Sequence, residues 1–173
     1  MVLGDGSSGF RGDDTEGARE VPAEPSVQAR IREIVSQEQF AVLCTQGNAQ
    51  PYGSLVAFAF SEDLGFVVFA TAVTTRKYEL LTKCRQVALV IDTRGQCPGE
   101  IMRIEALTAT GRATHVPPGP ERDRMAAMLT QRHPYLKSFI AAETCALIRV
   151  DIVRFFHVCR FQEVRQWTPP SPG

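Results

Sequence analysis

No apolar run in the chain approaches the roughly 20 residues that a membrane-spanning helix takes, and its N-terminus has no apolar signal core. We therefore expect a cytoplasmic protein with no membrane partner. Paired cysteines are missing too. Cys44, Cys84, Cys97, Cys145 and Cys159 are odd in number and scattered, with no CxxC and no Cys/His cluster at zinc spacing. Set in "FAVLCT" and "ETCALIRV", they read as buried reduced thiols. Charge of one sign is missing as well: 19 Lys and Arg balance 19 Asp and Glu, which argues against a nucleic-acid partner. No GxGxxG follows a strand and no GxSxG occurs, so neither a dinucleotide fold nor a serine hydrolase is supported.

What is present fits one globular domain: 173 residues, 44% hydrophobic. Residues 1–25, rich in Gly, Asp, Glu and Pro, read as a disordered or loosely docked arm. Residues 26–168 read as the domain and 169–173 as a frayed tail. Ser26 caps a predicted helix in which Val27, Ile31, Ile34 and Val35 share a face. "FAVLCT", "PYGSLVAFAF" and "FVVFAT" then form an antiparallel meander, since their connections are too short for parallel crossovers. A helix from Thr74 or Thr75 and the strand "VALVID" follow. A long β segment begins at Ile104, and Gly111 marks a bulge or a close backbone approach in it. "PPGPERDRMAAMLTQRHP" turns and then forms a helix, ended by Pro134. "TCALIRVDIVRFFHVCRF" supplies two closing strands with a bend near Asp151. The expected class is mainly β with α: a six- to seven-stranded antiparallel barrel with peripheral helices.

The helix after "FVVFAT" raises a question of charge. Arg76 and Lys77 fall in its first turn, where the helix dipole is already positive and N–H groups lie unpaired. Two readings are open. The cations are solvated or paired elsewhere, at a dipole penalty of about 0.3–1 kcal/mol each. Alternatively, Arg76, Lys77 and the hydroxyls of Thr74 and Thr75 converge on a phosphate.

The order "GSLVAFAF", "FVVFAT", "TTRKYELLTKCRQVALVID" resembles the flavin mononucleotide-binding split barrel of the pyridoxamine 5′-phosphate oxidase-like superfamily. Phe69-Ala70-Thr71 matches its strand end and Thr75-Arg76-Lys77 its turn into the helix. The resemblance implies FMN as cofactor, with Arg76 and Lys77 on its phosphate and Thr75 adding a hydroxyl. Phe69, Ala70 and Thr71 would border the isoalloxazine ring, the last two through backbone groups. Ser54 and Val56 would flank the ring from the neighbouring strand. It further implies a homodimer with flavin at the interface and oxidoreductase chemistry on a small molecule.

Two departures separate this chain from the true oxidases. Ala106 stands where they carry a Gln, and "FQEVRQWTPPSPG" contains Arg165 but no Arg-x-His motif. A small family member is therefore expected, with a non-catalytic flavin, haem or deazaflavin binding or electron-transfer protein as the alternative. His133, at a helix end, reads as structural and His115 as exposed; His157 faces either core or site. Trp167 reads most plainly as burial of an otherwise exposed apolar tail, or as cover for a partner subunit or a flavin ring.

Overall fold

The structure is a computed structural model that describes residues 26–160 and 163–170. The arm read over residues 1–25 and positions 171–173 of the tail lie outside the described residues. Seven strands and four α-helices are found within them. The first elements are α1 (Val27–Gln37), β1 (Phe40–Gly47), β2 (Gln50–Phe60), β3 (Phe66–Ala72), α2 (Arg76–Lys83), β4 (Gln86–Asp92) and β5 (Ala106–His115). They are followed by α3 (Pro120–Arg132), α4 (Lys137–Ile140), β6 (Cys145–Cys159) and β7 (Glu163–Trp167). The strands are antiparallel in the order β3-β2-β1-β4-β5-β6-β7, and a further pairing of β3 with β6 closes β1–β6 into a barrel. No helix among the described residues is long and apolar enough to cross a membrane.

The period-two alternation of the strands decides what fills the barrel. Ala41 and Leu43, Val56 and Phe58, Val67 and Phe69, Val87, Leu89 and Ile91, and Leu107 and Ala109 point inward as one buried cluster. The opposite faces of β2, β3 and β6 place Ala59, Val68 and Leu147 under α3 and α4. The two remaining helices close the barrel ends. Leu80 and Leu81 of α2 are buried at the end where β1 finishes, and a Cβ on Gly47 would stand 2.4 Å from the Leu80 side chain. At the other end, Ile31 and Ile34 of α1 are fully buried.

Polar contacts clamp α1 onto that end. Arg30 donates from Nε and a terminal nitrogen to Glu105, the latter at 2.7 Å, and pairs with Glu33. The imidazole of His157 lies 2.5 Å from the second Glu105 oxygen. Burial opposes ionisation of Glu105, but the hydrogen bonds from Arg30 and His157 outweigh it and hold the carboxyl below its ordinary value. The Glu105 hydrogen bond likewise raises the affinity of Arg30 for its proton.

The closing strands differ from expectation. "TCALIRVDIVRFFHVCRF" contains one 15-residue strand, β6, rather than two. The bend is a bulge: Thr110 pairs with Arg154 but Gly111 with Ile152, leaving Val153 unpaired. The strand stays continuous because β6 is used on both edges, by β3 and β7 on one side and β5 on the other. Gly111 is the close approach that its position predicts: a Cβ there would stand 2.4 Å from the Asp151 carbonyl oxygen. The strand β7 has no strong sequence signal. Pairing with β6 recruits it, and Trp167 packs against Phe155 at 5.7 Å between ring centroids.

Candidate cofactor site

The barrel is not zipped along its whole length. β2 and β3 pair only over Phe58–Phe60 and Val67–Phe69. Beyond that, residues 50–57 pair only with β1, and Ala70 to Ala72 only with β6. Each strand therefore carries an unpaired backbone edge toward a gap, and the N-terminus of α2 stands beside it.

Local sequence builds that corner. Thr75 is the N-cap: its hydroxyl accepts from the Tyr78 N–H at 3.3 Å and donates to the Ala72 carbonyl at 2.8 Å. Thr71, buried, shares a 2.9 Å hydrogen bond with the Thr75 hydroxyl. The turn and the helix start are thus fixed by two threonines. Lys77 reaches across the gap and its Nζ donates to the Leu55 carbonyl at 3.1 Å. The Arg76 guanidinium lies over the Tyr52 ring, 5.6 Å from its centroid. Among the described residues, neither cation has a carboxylate partner. The one acid of the first turns, Glu79, is taken by Lys83 at 2.6 Å. Burial without a counter-ion pushes the Lys77 ammonium below its ordinary pKa.

The structure brings the residues named from sequence into one neighbourhood, in different capacities. Arg76 and Lys77 offer charge. Ser54 offers a buried hydroxyl oxygen with no hydrogen-bond partner among the described residues, a group whose burial is costly unless something pairs with it. Val56 and Phe69 turn their side chains into the core, so only their backbones face the seam. Ala70 and Thr71 contribute the free edge of β3. The Thr75 proton is already committed to Ala72, so its clearest duty is to hold the turn. These groups fit a phosphate-bearing planar cofactor: cations and free N–H groups at one point, beside unpaired strand edges.

Sequence reasoning missed Tyr52 under Arg76 and the Leu55 carbonyl under Lys77. Each contact spans more than 20 residues, and only the aromatic ring in "PYGSL" hinted at the first. Of the histidines, His133 is buried with its ring nitrogens 2.8 Å from the Phe58 carbonyl and 3.0 Å from the Tyr135 hydroxyl. His157 is buried against Glu105, and His115 is exposed. No group of three metal-ligating side chains is found among the described residues. The five thiols are free.

The described residues thus form a split antiparallel barrel with two cations at the start of α2. The sequence profile described as pyridoxamine 5′-phosphate oxidase matches residues 27–159, and the chain belongs to that family. No curated protein matches the sequence significantly. Solved structures share the fold at low identity. A haem-binding protein from Mycobacterium smegmatis superposes with a TM-score of 0.74 at 17% identity over 83% of this chain and 58% of its own. HutZ, the haem storage protein of Vibrio cholerae, gives 0.63 at 14% identity over 81% of this chain and 92% of its own. A FAD-binding protein from Mesorhizobium loti gives 0.58 at 16% identity over 74% and 89%. The chain thus spans little more than half the length of the mycobacterial protein. Two of these neighbours are haem proteins and the third binds FAD.

Proposed function

We propose that the chain binds flavin mononucleotide, with the phosphate held by Arg76, Lys77 and the first N–H groups of α2. The observation that carries this reading is the pair of cations at a helix start with no carboxylate partner among the described residues. Free N–H groups and the dipole favour an anion there, and a phosphate would restore the charged state that burial disfavours at Lys77. Ser54 and the backbones of Val56, Phe69, Ala70 and Thr71 would border the ring. When bound, the isoalloxazine supplies electron- or hydride-transfer chemistry, and we read the protein as a cytoplasmic oxidoreductase acting on a small molecule. The chain's own part is to bind, to orient and to exclude water along the seam.

A second copy of the chain would complete the site. An apolar hollow of about 430 Å³ lies on the outer sheet face, lined by Cys44, Pro51, Val87, Ala88 and Val153 among others. Leu55 and Val153 stand exposed. Such a face, uncovered by the protein's own helices, supports a two-fold homodimer.

For a haem reading, His133 and His157 are buried and bonded within the fold, which leaves the exposed His115 as the histidine open to a ligand among the described residues. A deazaflavin carries a phosphate too, so its spectrum is the discriminator. The test is a visible absorbance scan of protein purified without added cofactor, followed by mass determination of what heat releases. A flavin spectrum with released flavin mononucleotide is the expected result. A Soret band, a deazaflavin mass, or a colourless protein indifferent to added flavin mononucleotide overturns it.

A further inference from the structure

The helix α2 also lines a cavity distinct from the seam between β2 and β3. Tyr78, Leu81 and Thr82 lie on one stripe of the helix, and Arg85 follows two residues beyond its end. They line a cavity of about 330 Å³ whose far wall comes from β5 and β6. That volume lies at the lower end of the usual range of about 300–1,000 Å³ for small-molecule pockets.

The chemistry of the walls is specific. Arg85 is anchored without a counter-charge. Its Nε donates to the Ala113 carbonyl at 3.0 Å, and a terminal nitrogen donates to the Thr114 hydroxyl. The Arg85 carbonyl in turn accepts from the Ala113 N–H at 2.7 Å. No carboxylate lines the cavity, and none pairs with Arg85 among the described residues. A guanidinium pinned by some of its donors keeps the others in a fixed fork, the geometry that suits a carboxylate. The floor is apolar: Leu81, Ala113 and Ile148 are buried. Beside it, the rings of Tyr78 and His115 meet edge to face at 6.0 Å, a wall against which a flat ring packs.

We propose that this cavity binds a small aryl carboxylate. Its carboxylate sits on the free donors of Arg85, and its ring rests on Leu81 and Ile148 beside Tyr78 and His115. The site is separate from the seam between β2 and β3, so the proposal stands whether or not a flavin binds there.

The test titrates the full chain with benzoate and with its neutral isostere benzamide, following the His115 ring protons by NMR. Saturable shifts with benzoate and at least tenfold weaker binding of benzamide are expected. Arg85→Gln should weaken benzoate at least tenfold. Because that change also removes the contact with Ala113, Thr82→Glu is the second variant. It places a carboxylate on an exposed helix position next to Arg85 and should block benzoate as strongly without loosening the fold. Absence of a saturable His115 shift, equal binding of benzamide, or unchanged benzoate affinity in both variants overturns the proposal.

Discussion

α1 and α2 close opposite ends of the same barrel, and each sets an arginine in its first turn, yet the two ends treat that charge in opposite ways. Arg30 of α1 is met by Glu105 and Glu33, and Glu105 also takes His157. Arg76 and Lys77 of α2 meet an aromatic ring and a carbonyl oxygen. The dipole penalty of about 0.3–1 kcal/mol per cation is offset by carboxylates at one end and left standing at the other. A cation that a protein pairs internally is part of its fold. One that it partly buries and leaves unpaired is held ready for something outside the chain.

The contrast makes predictions of graded size. Arg76→Ala combined with Lys77→Ala removes two charge-assisted contacts of about 1.5–3 kcal/mol each. Flavin mononucleotide affinity should fall by on the order of 4 kcal/mol, read by fluorescence quenching, while the urea midpoint holds. A large loss of stability in that double variant would break the comparison. At the other end, Glu105→Leu strands Arg30 and His157 and should cost about 3 kcal/mol of unfolding free energy, with flavin affinity unaltered per folded molecule.

Acid provides a third, smaller effect. The Glu105 carboxyl titrates lower in the fold than in the unfolded chain. Its stabilisation is therefore fully present above the ordinary glutamate value of about 4.3 and is lost as pH falls through the depressed folded value. Urea midpoints measured downward from pH 5 should drop more steeply in the parent than in Glu105→Gln. Smallest of all, Lys77→Met alone should change the unfolding free energy by no more than about 0.5 kcal/mol. The substitution removes a desolvated charge and keeps the apolar stem.

Much of this contrast is legible in one dimension, but not both halves of it. The α2 corner is local: Thr71, Thr75, Arg76 and Lys77 lie within seven positions, and the cap, the turn and the misplaced charge all show in the sequence. The clamp on α1 is not, since Arg30 and Glu105 are 75 positions apart. Nothing in "IEALTATG" distinguishes an acid that pairs from one that is solvated. Strand faces are equally hidden at the site. Alternation tells that Phe69 and Ala70 point opposite ways, but only the closed barrel tells which side is the core. The sequence of β6 reads as two strands because Asp151 and Arg154 interrupt its apolar run. A bulge absorbs that interruption without ending the strand.

The half-open seam has a consequence for colloidal behaviour. Two short stretches of unpaired strand edge are a template for addition of a foreign strand, the route by which β proteins polymerise edge to edge. Lys77 lies across that template with its charge on the Leu55 carbonyl, as gatekeeper residues do on exposed edges. A chain stripped of Lys77 should keep its thermodynamic stability and lose shelf life, with light scattering rising on storage sooner than in the parent.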